Sequence, residues 1–177
     1  WPSRPYSIFF ILMLFSTFKS IHKRYKITLY LEIYNFVLVN ILFLCVGNSA
    51  RSQIAEGIAK SIFGKNHCIK SAGSQPAGII HPEAILTMQD IGIDITNQKS
   101  KSIDSLEIEF MKNIDYVITL CAEEICPVLP GDSKSFHWMN EDPVNNKYSE
   151  AELKIAFKHT RDNIFKLIKS FYISENL

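Results

Sequence analysis

The sequence has almost no net charge: 19 Lys and Arg stand against 18 Asp and Glu over 177 residues. That balance excludes a chain built to coat a polyanion. The imbalance that exists is local. Residues 1–38 carry five basic side chains (Arg4, Lys19, Lys23, Arg24 and Lys26) against Glu32 alone, and the rest carries 14 basic and 17 acidic ones. A mildly acidic body predicts no nucleic-acid partner. Internal repeats and low-complexity segments are missing too, so repeat architectures drop out.

Long hydrophobic runs are also lacking. Ile8 to Phe15 is continuously apolar, well short of the roughly 20 residues that cross a bilayer. No alanine precedes Ala50, so the A-x-A-like site that completes a signal peptide is absent. A second apolar stretch, Ile27 to Val46, is interrupted by Glu32, Asn35 and Asn40. Residues 1–38 therefore read first as an upstream segment from a mis-assigned start, then as a membrane-surface anchor, and last as an export signal. Membrane contact by this extension is not expected. The functional domain is expected to start near Val37 and to occupy residues 39–177. Cysteine is scarce as well: Cys45, Cys68, Cys121 and Cys126 only. With 47% hydrophobic residues the chain can build a core without a disulfide framework. Reduced thiols in the cytoplasm are the expectation.

What is present is an alternation of short apolar runs and amphipathic segments. Val39 to Leu44 reads as a buried strand, and Gln53 to Phe63 as a helix with Gly64 as its C-cap. His67 to Ser71 reads as a second strand. Pro82 to Ile91 follows as a helix, with Pro near its start and Gly92 beyond its end. Ile103 to Met111 reads as a third helix. Tyr116 to Leu120 is a β-branched strand, and Ser133 to Trp138 a fourth. Glu150 to Phe171 is a long helix with Ala156, Ile164, Leu167, Ile168 and Phe171 for its inner face. This order predicts an α/β fold, a parallel sheet of four strands covered on both faces. Ligands of such folds sit beyond the carboxyl ends of the strands, where Cys45 and Cys121 both fall. Cys68, inside a strand, is expected in the core. His67, His81 and His159 are expected on the surface, as are Lys166, Lys169, Glu123 and Glu124.

The segment Cys45-Val46-Gly47-Asn48-Ser49-Ala50-Arg51-Ser52 carries the chemistry. Five residues between Cys45 and Arg51 let the chain circle one tetrahedral anion with backbone N–H groups turned inward. Gly47 and Asn48 tolerate positive φ. Arg51 returns a planar fork for bidentate contact. The following helix directs its positive end at the same point, which also favours a Cys45 thiolate. Ser52 can donate to that sulfur. Bare Cys-x5-Arg is a weak signal, and the other three cysteines meet Ser74, Pro127 and Asp132 at that spacing. The strand before and the helix after make it strong. Cys121 and Cys126 flank four residues. By themselves they suit a zinc site with His137, a static disulfide, or two unrelated core thiols. Asp142-Pro143, on its own, marks a turn.

Ile41 to Gly57, ILFLCVGNSARSQIAEG, resembles the phosphate loop and first helix of the low-molecular-weight tyrosine phosphatase superfamily. Its Ser-Gln-x-Ala-Glu-Gly part is similar to thioredoxin-coupled arsenate reductases, whereas the phosphatases usually carry Pro where this chain has Gln53. The likeness continues through Ser71-Ala72-Gly73, Asp94-Ile95, Val117 to Cys121, Cys126-Pro127 and His137-Trp138 to Asp142-Pro143, collinear over about residues 39–173. It implies a three-layer α/β/α fold, low-molecular-weight tyrosine phosphatase-like. It implies Cys45 as nucleophile, Arg51 with residues 46–52 as the oxyanion cradle, and Asp142 as general acid, with His137 and Trp138 supporting the acid by packing. Cys121 and Cys126 become a redox relay opened by a thioredoxin-type reductant, although many members space these cysteines more widely. The implied activity is arsenate reduction without a cofactor, the alternative being phosphomonoester hydrolysis through a Cys45 phosphoenzyme. An inactive oxyanion-binding module is disfavoured by intact Cys45, Arg51 and Asp142. Some relatives hold potassium through Asn, Glu, Ser and Asp. Asn48, Glu56 and Ser71 match, but Lys101 replaces the Asp, so no metal and no potassium dependence are expected.

Overall fold

The computed structural model describes residues 38–121, 132–144 and 146–177. The readings made for residues 1–37, Glu123, Glu124 and Cys126 lie outside these. Four strands, β1 (Asn40–Cys45), β2 (Cys68–Gly73), β3 (Tyr116–Cys121) and β4 (Lys134–Asn140), form one parallel sheet in the order β2-β1-β3-β4. Helices α1 (Arg51–Phe63), α2 (Pro82–Gln89), α3 (Ile108–Lys112) and α4 (Glu150–Ser174) connect and cover them.

The two central strands explain their own sequences. Leu42 and Leu44 point into a small core with Val117, Leu106 and Phe110, while Ile41, Phe43, Ile118 and Leu120 point into a larger one with α1 and α4. A strand buried on both faces reads as a continuous apolar run, which is what residues 41–44 show. The expected three-layer α/β/α architecture is the one observed. Among the described residues, no helix is long and apolar enough to cross a membrane.

Several expectations are corrected. Ile103 to Met111 is not one helix but a single 3-10 turn (Ile103–Ser105) and the short α3, separated by extended Leu106 and Glu107. The break lets both Leu106 and Phe110 enter the smaller core. Cys68 is exposed, because the apolar alternation of β2, an edge strand, is carried by Ile69 instead. His81 is not a free surface residue: its Nδ1 accepts from the Glu83 amide at 3.1 Å as the cap of α2, and its ring stacks on Phe157 at 4.7 Å. His67 likewise accepts from the Val39 amide at 3.3 Å through Nδ1. Phe157, fully buried, belongs to the inner face of α4 with Ile164, Ile168 and Phe171, whereas Ala156 and Leu167 are only half-buried. His159, Lys166 and Lys169 are exposed as expected.

Candidate active site

β1 ends at Cys45 and α1 begins at Arg51, so residues 46–50 form a tight loop at the carboxyl edge of the sheet. The carbonyls of Val46 to Ser49 are all tied outward, and that of Ala50 accepts from Ile54 N in α1. Val46 O accepts from Gln75 N (3.0 Å), Gly47 O from Ala77 N (2.9 Å) and Ser100 Oγ (3.2 Å), Asn48 O from Gln53 Nε2 (3.0 Å), and Ser49 O from His81 N (2.9 Å). In a trans peptide the N–H points opposite to the preceding C=O. The amides of Gly47, Asn48, Ser49 and Ala50 are therefore directed inward. The Asn48 amide shows this directly, donating to Cys45 Sγ at 3.2 Å. No side chain caps the start of α1, which leaves its first amides for an anion.

Of the two residues expected to use positive φ, only Asn48 does (φ 43°). Its side chain, wholly buried, is oriented without ambiguity: Oδ1 accepts from Lys101 N (2.8 Å) and Gln53 Nε2 (3.0 Å), so Nδ2 is the group donating to Ser52 Oγ (2.8 Å) and Ser71 Oγ (2.9 Å). Ser52 Oγ thus accepts from Asn48, and its own proton is free for Cys45 Sγ, 2.9 Å away. Gly73 closes the floor: a Cβ there would lie 2.3 Å from Val46 O and 2.9 Å from the Asn48 amide nitrogen. Only glycine fits.

Cys121, at the end of the neighbouring strand, reaches the same point. Its Sγ accepts from the Val46 amide at 3.3 Å. The Cys45 thiol is lowered to about 6, chiefly by its hydrogen bond with Cys121, with Ser52 and the Arg51 charge adding to this and burial opposing it. Cys121 moves the other way, pushed up by the Cys45 thiolate it bonds and by burial. One proton is shared by the pair, and Cys121 keeps it.

Arg51 is buried and engaged at both ends of its fork: Nη1 donates to Asn140 O (3.2 Å) and Nη2 to Asp142 Oδ2 (2.9 Å). The Asp142 side chain is half-exposed at 53% and also accepts from the Val144 amide at 3.0 Å. Trp138 packs between Phe43 and Phe171, at 6.2 and 5.6 Å between ring centroids. His137 is exposed and pairs instead with Thr119 Oγ1 at 2.6 Å.

The matched potassium ligands do not fit a cation. The buried Glu56 carboxylate already meets Lys60 Nζ at 2.5 Å and Lys101 Nζ at 3.6 Å, and accepts from Ser71 Oγ at 2.5 Å. Two ammonium groups supply the positive charge that a metal would bring. Among the described residues, no cluster of His, Cys, Asp and Glu could hold a metal ion.

The sequence profile of the low molecular weight phosphotyrosine protein phosphatases matches residues 40–176. The chain belongs to this family. Within it the sequence stands with the arsenate reductases: that of Halalkalibacterium halodurans is 41% identical over 133 residues, spanning 74% of this chain and 93% of the relative. A solved arsenate reductase in the phosphate binding state superposes with a TM-score of 0.64 at 27% identity, over 77% of this chain and 98% of that one. A thioredoxin-dependent arsenate reductase of Corynebacterium glutamicum gives 0.58 at 29% identity, over 78% of this chain and 64% of that one.

The residues assigned from sequence to the cradle, Val46 to Ser52, come together with Cys45, Arg51, Cys121 and Asp142 on one rim. Residues missed from sequence are the outward tethers, Gln75, Ala77, His81 and Ser100, and the buried hub Gln53. The tethers act mostly through backbone amides, which leave no side-chain signature. Gln53 shares a buried polar stripe of α1 with Glu56, which in sequence looks like a solvated face.

Proposed function

We propose that this chain reduces arsenate to arsenite through Cys45, Cys121 and Cys126. The observation that carries this reading is a second thiol at the same loop: Cys121 Sγ accepts from the amide of Val46, the residue next to Cys45, at 3.3 Å. An ester phosphatase needs no second thiol there.

Arsenate enters the loop and takes over the Arg51 donors from Asp142. The Cys45 thiolate attacks arsenic, and Asp142 gives its proton to the departing oxygen, which leaves as water. The two causes that push Cys121 up are unequal in lifetime. Burial persists, but the Cys45 negative charge vanishes once the sulfur–arsenic bond forms. Cys121 therefore becomes a competent nucleophile when its target exists. Cys121 gives its proton to an arsenic-bound oxygen, its thiolate attacks Cys45 Sγ, the sulfur–arsenic electron pair stays on arsenic, and arsenite leaves with a Cys45–Cys121 disulfide behind. Cys126 attacks Cys121, frees the Cys45 thiolate and leaves Cys121–Cys126 for a dithiol reductant of thioredoxin type. The thioredoxin dependence of the Corynebacterium glutamicum neighbour supports that choice of reductant. No cofactor enters the cycle, and the cytoplasm supplies the reducing conditions.

The test is thioredoxin-dependent arsenate reduction by wild type, Cys121→Ser and Cys126→Ser. Wild type is expected to turn over and both variants to stop after one equivalent or less. Serine variants as active as wild type, with all three hydrolysing an aryl phosphate, would sink the relay in favour of a phosphatase.

A further inference from the structure

Arg51 is the only charged side chain of the cradle, and among the described residues two groups hold it. One is Asp142, half-exposed and given up to an incoming anion. The other is the Asn140 carbonyl, which is backbone and stays. What aims that carbonyl is visible in the sheet register. Thr119 pairs with His137, yet Cys121 pairs with Asn140, so β3 advances two residues while β4 advances three. The extra residue on β4 shifts the register as a β-bulge does, and bulges beside active sites re-aim the chain.

The bulge is pinned by one pair, buried Asn140 and half-buried Asn163. Asn140, 4% exposed, donates from Nδ2 to Trp138 O at 2.8 Å, which fixes its amide orientation and leaves Oδ1 as acceptor. That oxygen accepts from Asn163 Nδ2 of α4 at 2.8 Å. Packing does not replace the bond, because Asn140, Asp142, Thr160 and Asn163 line a cavity of about 180 Å³ behind the acid segment. We propose that Asn163 is a positioning residue: by pinning the Asn140 bulge it sets the plane of the Arg51 guanidinium and hence the affinity of the site for its oxyanion. This rests on the reading of the Cys45 loop as an oxyanion cradle, and not on the redox relay. A fork held in place binds without first being ordered, and losing that pre-organisation weakens binding rather than chemistry.

The experiment uses the full chain and inorganic phosphate, reading the dissociation constant from protection of Cys45 against iodoacetamide. In Asn163→Leu, which keeps the bulk and lacks only the donor, the constant is expected to rise about fivefold or more. The pH midpoint of alkylation without phosphate moves little, because Cys121, Ser52 and the Asn48 amide keep their contacts with Cys45 and Arg51, the smallest contributor, keeps its charge. In an Arg51→Lys background, which has no fork to orient, the same substitution costs less than twofold. Asn163→Ala serves if the leucine does not fold. Unchanged phosphate affinity in a folded variant, or an equal loss in the Arg51→Lys background, overturns the proposal. Wild type that binds phosphate but reduces no arsenate would defeat the reductase reading and leave this one standing.

Discussion

Cys45 and Cys121 divide one proton between them, and the division has a pH signature. With Cys45 lowered to about 6, its thiolate persists above that pH and is lost below it. The rate of iodoacetamide inactivation should therefore fall about tenfold per pH unit below the midpoint. Cys121 supplies the largest favourable contribution, so Cys121→Ala should move the midpoint upward towards the ordinary thiol range. A midpoint unmoved by that change would assign the acidity to Ser52 and Arg51 instead. Lys101 makes a second residue-scale prediction. Its ammonium and that of Lys60 already meet Glu56, so replacing sodium by potassium at equal ionic strength should leave kcat/KM unchanged. A large rise specific to potassium would contradict the arrangement.

The helix α4 ties the core to the loop. Phe157 is fully buried and stacks on His81, whose own amide holds the Ser49 carbonyl outward at 2.9 Å. Phe157→Ala should cost about 3–5 kcal/mol, the usual range for emptying a buried aromatic site. Urea unfolding would measure it, and a loss below about 1 kcal/mol would mean the site collapses around the cavity. The same helix shows why inner faces are hard to read. Thr160 and Arg161 are buried among its apolar residues, and Arg161 Nη1 donates to Thr87 O at 2.9 Å. A polar residue satisfied by a distant helix, as Arg161 is, looks in sequence like part of a solvated face. Conversely Glu150 opens α4 in plain view, because Ser149 and Glu152 form a capping box whose signature is local.

For the whole molecule, the sheet and its cover lie within the residues matched by the family profile, 40–176. The proposed domain, 39–177, should then stand alone. Removal of residues 1–38 is expected to leave the thermal midpoint and kcat/KM within experimental error of the full chain. A drop of several degrees, or loss of arsenate turnover, would show that the extension belongs to the working protein.

The sequence by itself determined the elements whose signals are local. These include the buried strand before Cys45, the Cys-x5-Arg spacing, the helix after it, and the alternation that makes a parallel sheet. Cys45, Arg51 and Ser52 were legible for that reason, since eight consecutive residues build most of the cradle. Tertiary structure alone decided what depends on distant backbone. It turned the loop carbonyls outward onto residues 75–81 and Ser100, excluded a Cβ at Gly73, and put two ammonium groups on Glu56. It also exposed Cys68 by placing β2 at the sheet edge, and brought Cys121 to Cys45 across 76 residues of chain by pairing β3 with β1. The physical reason is the same throughout: hydrogen bonds from main-chain groups and contacts between remote elements satisfy geometry, and geometry of that kind leaves no pattern in the order of side chains.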